Sequence, residues 1–137
     1  MSTTLQSYIG HHHSKENIMI YTIAGFSQRE AFNLTKTITR NGKTTILQVG
    51  CEDLVLLRWL VDSYHELPKK SINGTDYYHV DYETVLDDIP MFRESPRRIA
   101  ARFDKMTQLG ILARPDTDAD RQLYGFGPEY LRLLRES

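Results

Sequence analysis

The chain has 137 residues, 40% of them hydrophobic and 26% charged, with a formal net charge of −1 and one cysteine. That composition suits a folded domain with a real apolar core; it offers no apolar run of the ~20 residues a bilayer crossing needs, no signal-peptide pattern and no second thiol for an internal disulfide, so the cytoplasm is the expected compartment. A near-neutral total excludes a binder that is basic all over, and any contact with a polyanion has to come from local concentration of charge.

Charge is concentrated in this way. Residues 1–50 carry five basic and two acidic side chains, residues 51–90 three and nine, residues 91–114 six and two, and residues 115–137 three and five. A protein with such blocks can present one face to a polyanion and another to a cation.

Residues 1–17 are polar and rich in Ser, Thr and His, the composition of a flexible arm. The run His11-His12-His13 makes no metal site by itself, because adjacent imidazoles do not readily close a tetrahedron. From residue 18 onward, NIMIYTIAGF is β-branched and aromatic, and Asn41-Gly42 separates AFNLTKTITR from KTTILQVG. These features predict a β-hairpin extension over 18–50. Ser27 followed by Glu30 is a capping box for a competing helix. Residues 52–66 form the clearest core helix, with Leu54, Leu57, Trp59, Leu60, Val61 and Tyr64 on a broad apolar face. Glu52 and Asp53 suit the positive end of that helix. LPKKSINGTD then reads as a loop with a turn at Asn73-Gly74.

YYHV at 77–80 reads as a short strand, and Asp81 as the cap of a second helix that runs through Ile89 and ends at Pro90. A five-residue turn, 90–94, leads into SPRRIAARFDKMTQLG at 95–110. Ser95 is a good N-cap, Pro96 a good first helical residue and Gly110 a natural stop. Ile99, Phe103 and Met106 share one stripe, while Arg97, Arg98, Ala101, Lys105 and Gln108 fall away from it. Ile111–Arg114 then reads as a strand, PDTDADR as a turn and QLYGFG as a returning strand, and Pro128 opens a last helix, PEYLRLLRE. The order helix, strand, helix, turn, helix, strand, loop, strand is an α+β plan: a winged helix-turn-helix, with a three-helix core and a small antiparallel β-wing. It is expected over 51–137, followed by the C-terminal helix and preceded by the β-rich extension.

The blocks DLVLLRWLVDSY, YYHVDYETVLDDIPMF, SPRRIAARFDKMTQLGIL and LYGFGPEYLRLL, within roughly residues 50–135, resemble successive parts of winged-helix domains in phage and prophage replication proteins of Gram-positive bacteria. Those proteins are replication initiators or replisome organisers. The resemblance implies binding of double-stranded DNA near an origin and contact with other replication proteins. Such proteins usually carry a further C-terminal domain, so this chain is expected to be either a separated domain or a short stand-alone member, and in the second case transcriptional control becomes the better expectation.

A helix with one apolar and one basic side suits a DNA major groove. Arg97, Arg98 and Ala101 are expected near the bases, where arginine discriminates guanine by ~1–3 kcal/mol. Lys105 and Gln108 are expected at phosphates, with Arg114 and Arg121 contributed by the wing. Arg102, at the margin of the stripe, either joins them or lays its stem over the core and pairs with an acid. Asp104 would repel phosphate unless it pairs with Arg97 or Arg98 or accepts from a cytosine amine. Asp116, Asp118 and Asp120 make the wing tip acidic, so it is expected to avoid the backbone or meet a protein. Glu83, Asp87 and Asp88 form either a solvated face or a docking surface for replication proteins.

No catalytic constellation is apparent. His65 and His79 are isolated, Cys51 has no partner base in sequence, and Walker, dinucleotide and H-E-x-x-H patterns are absent. The D-x-D-x-D spacing of 116–120 matches the start of a calcium loop, but Arg121 stands where glycine is needed and Gly127 where glutamate is needed. The expectation is a non-enzymatic protein without metal or cofactor. Two alternatives to a DNA-binding replication module remain: a protein-interaction module using the acidic surface from Glu52 to Asp88, and a small transcription regulator that forms a homodimer through residues 18–49.

Overall fold

A computed structural model describes residues 21–116 and 120–135; the expected arm at 1–17 and Asp118 lie outside them. The architecture is mixed α and β, with four α-helices and antiparallel sheets among the described residues. In chain order the elements are β1 (Thr22–Ile23), β2 (Phe26–Ser27), α1 (Gln28–Asn33), β3 (Thr35–Arg40), β4 (Lys43–Gln48), α2 (Cys51–Ser63), β5 (Lys69–Ile72), β6 (Thr75–His79), α3 (Tyr82–Asp88), α4 (Pro96–Gln108), β7 (Leu112–Ala113) and β8 (Leu123–Phe126). None of the described helices is long and apolar enough to cross a membrane.

Both features read between 18 and 50 form, one after the other. Ser27 Oγ accepts the backbone N–H of Glu30 at 3.2 Å and caps α1, so a short helix separates the β1–β2 pair from the strands that follow. The hairpin follows at the expected turn: β3 and β4 pair with Arg40 opposite Lys43. Asn41 and Gly42 between them adopt φ of +52° and +77°, the left-handed pair that matches hairpin twist. Phe26, Ala31 and Leu34 are buried in the same core as α2 and α4.

The strand read at 77–80 forms and begins earlier, at Thr75, whereas residues 69–76 depart from the loop expected there. β5 and β6 form a second hairpin across Asn73-Gly74, again with positive φ at both turn residues. Lysine-rich KKSI is a poor strand by composition, and pairing to one side of β6 holds it in place while its side chains stay largely exposed. The other side of β6 pairs with β8, Tyr78 opposite Tyr124 and His79 opposite Leu123, and β8 pairs with β7. The sheet order is therefore β5-β6-β8-β7, antiparallel throughout.

The C-terminal helix expected after Pro128 is a single 3₁₀ turn, Leu131–Leu134. The preceding backbone is bonded elsewhere: Glu129 N–H donates to Gly110 O at 2.9 Å and Tyr130 N–H to Gly127 O at 3.2 Å. Only Leu133 of this turn is buried, and Leu131 and Leu134 stay exposed.

α2 and α4 supply the centre of the core. Leu54, Leu56, Leu57 and Leu60 meet Ile99, Phe103 and Met106, with Val85, Ile111, Leu112 and Tyr124 closing it. Trp59 Nε1–H donates to Asp88 Oδ2 at 2.7 Å and ties α2 to α3. α4 has well-formed ends. Ser95 Oγ accepts Arg98 N–H at 3.2 Å, and beyond Leu109 the N–H groups of Gly110 and Ile111 return to Thr107 O and Met106 O. Gly110 takes φ +81°, which completes a Schellman motif and turns the chain directly into β7.

Gly127 is the tightest backbone contact of this corner. A Cβ there would collide with the carbonyl oxygens of Gly110 and Leu112, the first belonging to the turn that stops α4. Gly127→Ala should therefore cost about 1–3 kcal/mol or more, because two backbone strands must part. Gly42→Ala, which meets nothing within 4 Å but keeps a positive φ, should cost about 1 kcal/mol. Urea unfolding of both variants checks this; equal costs would contradict it.

Candidate nucleic-acid interface

α4 is seated by Ile99, Phe103 and Met106, all fully buried. That fixes its rotation. Arg97, Arg98, Ala101 and Gln108 are exposed on the opposite side, as the helical spacing predicts. The remaining polar residues of the helix lie at the margins of this face, where neighbouring elements reach them.

On one margin the cations are committed to carboxylates. Asp53, in the first turn of α2, has a side chain 0% exposed and accepts Arg102 Nη1 at 3.3 Å and Lys105 Nζ at 2.6 Å. It also accepts the N–H of Gly50 at 2.8 Å, closing the start of α2. Glu94, in the turn before α4, accepts Arg102 Nε at 2.9 Å and Nη2 at 2.6 Å, a bidentate pair. Arg102 is left 17% exposed. Its guanidinium holds the Glu94 carboxyl below the ordinary carboxylate value, and the same pairing raises Arg102 further above its own. Asp53 therefore does more than complement the dipole of α2. A signal was present: positions 53, 57, 60 and 64 share one helical stripe, so Asp53 heads the apolar row of Leu57, Leu60 and Tyr64.

On the other margin, Asp104 pairs with Arg114 rather than with Arg97 or Arg98. Arg114 Nη2 also lies 2.6 Å from the Tyr124 hydroxyl, and its guanidinium stacks over the Tyr124 ring with its carbon 4.8 Å from the centroid. Tyr82 and Tyr124 share a hydrogen bond at 2.6 Å. Burial, reinforced by Tyr82, pushes the Tyr124 phenol far up, so it stays a neutral member of this network.

The eight residues singled out for DNA thus separate into two groups. Arg102, Lys105 and Arg114 hold the fold together through ion pairs. Arg97, Arg98, Ala101, Gln108 and Arg121 face solvent. Among the described residues the Arg97 side chain makes no hydrogen bond or ion pair, and that of Arg98, 68% exposed, has only a 3.7 Å approach to Glu94. Between β7 and β8, Asp116 is exposed, whereas Asp120 turns inward, accepting Gln122 N–H at 2.9 Å and lying 3.8 Å from His79 Nε2. Glu83 and Asp87 are exposed on α3, while Asp88 is occupied by the Trp59 indole.

The depressed Glu94 fixes the sign of an acid effect. A carboxyl whose folded value lies below its unfolded one stabilises the fold in full above the ordinary value of 4.5 and loses that contribution as pH falls through the folded value. Glu94→Gln should therefore be less stable than the parent at neutral pH, with the gap narrowing below about pH 4.5. Urea titrations at a series of pH values measure this; a gap that widens in acid would contradict the assignment.

No protein-family model, curated protein or solved structure gives a significant match to this chain.

Proposed function

We propose that the chain is a duplex-DNA-binding module of the winged helix-turn-helix type, with α4 as the helix that enters the major groove. Three features support the fold reading: the succession α2, β6, α3, α4, β7, β8; the turn of residues 89–95 between α3 and α4; and the strand order β6-β8-β7, in which β7 and β8 pair as the two strands of a wing. The observation that carries the functional reading is the exposed face of α4. Arg97 and Arg98 stand at its N-terminal end with little or no intramolecular engagement, on a helix whose rotation is fixed by buried apolar residues and whose marginal cations are already paired. Free cations on a rigid rod lose little on meeting phosphate or a guanine edge. The module is a binding protein rather than an enzyme, and needs no cofactor to do this. The sequence resemblance favours replication of a mobile element as its setting. An exposed single thiol, Cys51, fits a reducing compartment such as the cytoplasm.

A second reading rests on a separate observation. Met91 is 88% exposed beside Ile89, Phe92 and Val55, in a groove of about 590 Å³ that exposed Glu52 also lines. An apolar strip beside Glu52 suits a protein partner with a basic amphipathic surface, and it is compatible with DNA on α4.

Duplex titrations test the leading proposal. Arg97→Ala/Arg98→Ala should bind at least about tenfold more weakly and shallow the log–log salt dependence by about two units, with unchanged thermal stability. Arg102→Ala should instead lower stability, because it strips a partner from buried Asp53. Unchanged affinity in the double variant would contradict the proposal.

A further inference from the structure

The hairpin β3–β4 has a composition unlike the rest of the chain. No acidic residue occurs between Glu30 and Glu52, while Lys36, Arg40 and Lys43 fall within the two strands. Strand alternation and the pairing register place all three cations on one face, with Ile38, Thr45 and Leu47. That face looks towards the C-terminal end of α4. Lys36 Nζ donates to Gln108 O at 3.4 Å, and a groove of about 680 Å³ lies between the hairpin face and Gln108. Arg40 belongs to this groove and to the adjoining one, of about 410 Å³, which Arg121 of the wing and Thr107 line.

The exposed face of α4 therefore does not stop at Gln108. It continues into a trough with Lys43 and Arg40 on one wall and Arg121 on the other. The one acid in the trough, Asp104, is paired with Arg114. A helix of 13 residues is ~20 Å long, and the major groove is about 12 Å wide, so a helix lying across it meets a phosphate strand near each end. Arg97 and Arg98 occupy one end, and the hairpin cations with Arg121 occupy the other.

We infer that β3–β4 is a second DNA-contacting arm, which grips the phosphate backbone at the C-terminal end of α4 through Lys36, Arg40 and Lys43. The inference rests on the DNA-binding reading of α4 and adds a contact to it. Charge complementarity selects the occupant. The arm presents a cationic face on a two-stranded sheet, and such a hairpin buries too little to be rigid alone. Polyanion contact supplies what packing does not. Pairing of two copies edge to edge would bring like charges together and is disfavoured by lysine and arginine on the strands.

The test uses the full chain and a duplex of ~25 base pairs, with binding measured across a range of salt concentrations. Arg40→Gln/Lys43→Gln, at exposed positions, is expected to melt like the parent. It should bind about tenfold more weakly at ~100 mM salt, equally for every base sequence, with the salt dependence shallower by about two units. Ethylation interference should lose phosphate contacts at one flank of the footprint only. Three results overturn the arm. If the hairpin variant binds like the parent while Arg97→Ala/Arg98→Ala weakens binding, the arm falls and the α4 reading stands. If the parent binds no duplex, both fall. If light scattering shows a parent dimer that the hairpin variant dissolves, with affinity per protomer unchanged, the hairpin is a contact between copies and not an arm.

Discussion

Asp53 sits in the first turn of α2 with its carboxylate withdrawn from solvent, and three donors converge on it: the Gly50 N–H, the Arg102 guanidinium and the Lys105 ammonium. Withdrawing a carboxylate from water costs several kcal/mol, so this arrangement persists only because every partner is in place. Its effect is positional. The apolar stripe of Ile99, Phe103 and Met106 tolerates a range of helix rotations, whereas a buried anion held by two side chains a turn apart on α4 does not. The start of α2, the turn at Glu94 and the middle and last turns of α4 are thereby fixed to one another.

That constraint sorts the positive charge of residues 91–114. A helix with four cations looks like a uniform basic surface in sequence. In the fold, Arg102 and Lys105 neutralise buried or half-buried acids, and Arg114 neutralises Asp104. Arg97 and Arg98 at one end, and the hairpin and Arg121 at the other, remain for a partner. Asp53, Glu94 and Asp104 beside α4 each have a cation already paired with them. The near-neutral total thus coexists with local excess charge: free cations on α4 and the hairpin, and exposed Glu83 and Asp87 on α3.

The parts legible in the sequence are those fixed by local chemistry. Ser95, Pro96 and Gly110 mark both ends of α4 because caps are local hydrogen-bonding problems. Asn41-Gly42 marks a hairpin for the same reason: few residue pairs accept two left-handed conformations. What could not be read depends on neighbours distant in the chain. KKSI becomes a strand because β6 offers it an edge, and PEYLRLLRE yields only the 3₁₀ turn Leu131–Leu134, of which Leu133 alone is buried. The site divides in the same way. The exposure of Arg97 and Arg98 follows from helical periodicity, but the capture of Lys105 by Asp53 spans 52 positions of sequence and no periodicity announces it.

Arginine side-chain NMR tests the sorting of charge most directly, because each Nε–H reports its own partner. In a chain labelled with ¹⁵N, the Arg102 Nε–H, which donates to Glu94, should exchange slowly with water and hold its shift when duplex is added. The Arg97 and Arg98 signals should exchange fast and move on that addition. A duplex that shifts Arg102 and leaves Arg97 and Arg98 in place would contradict the account.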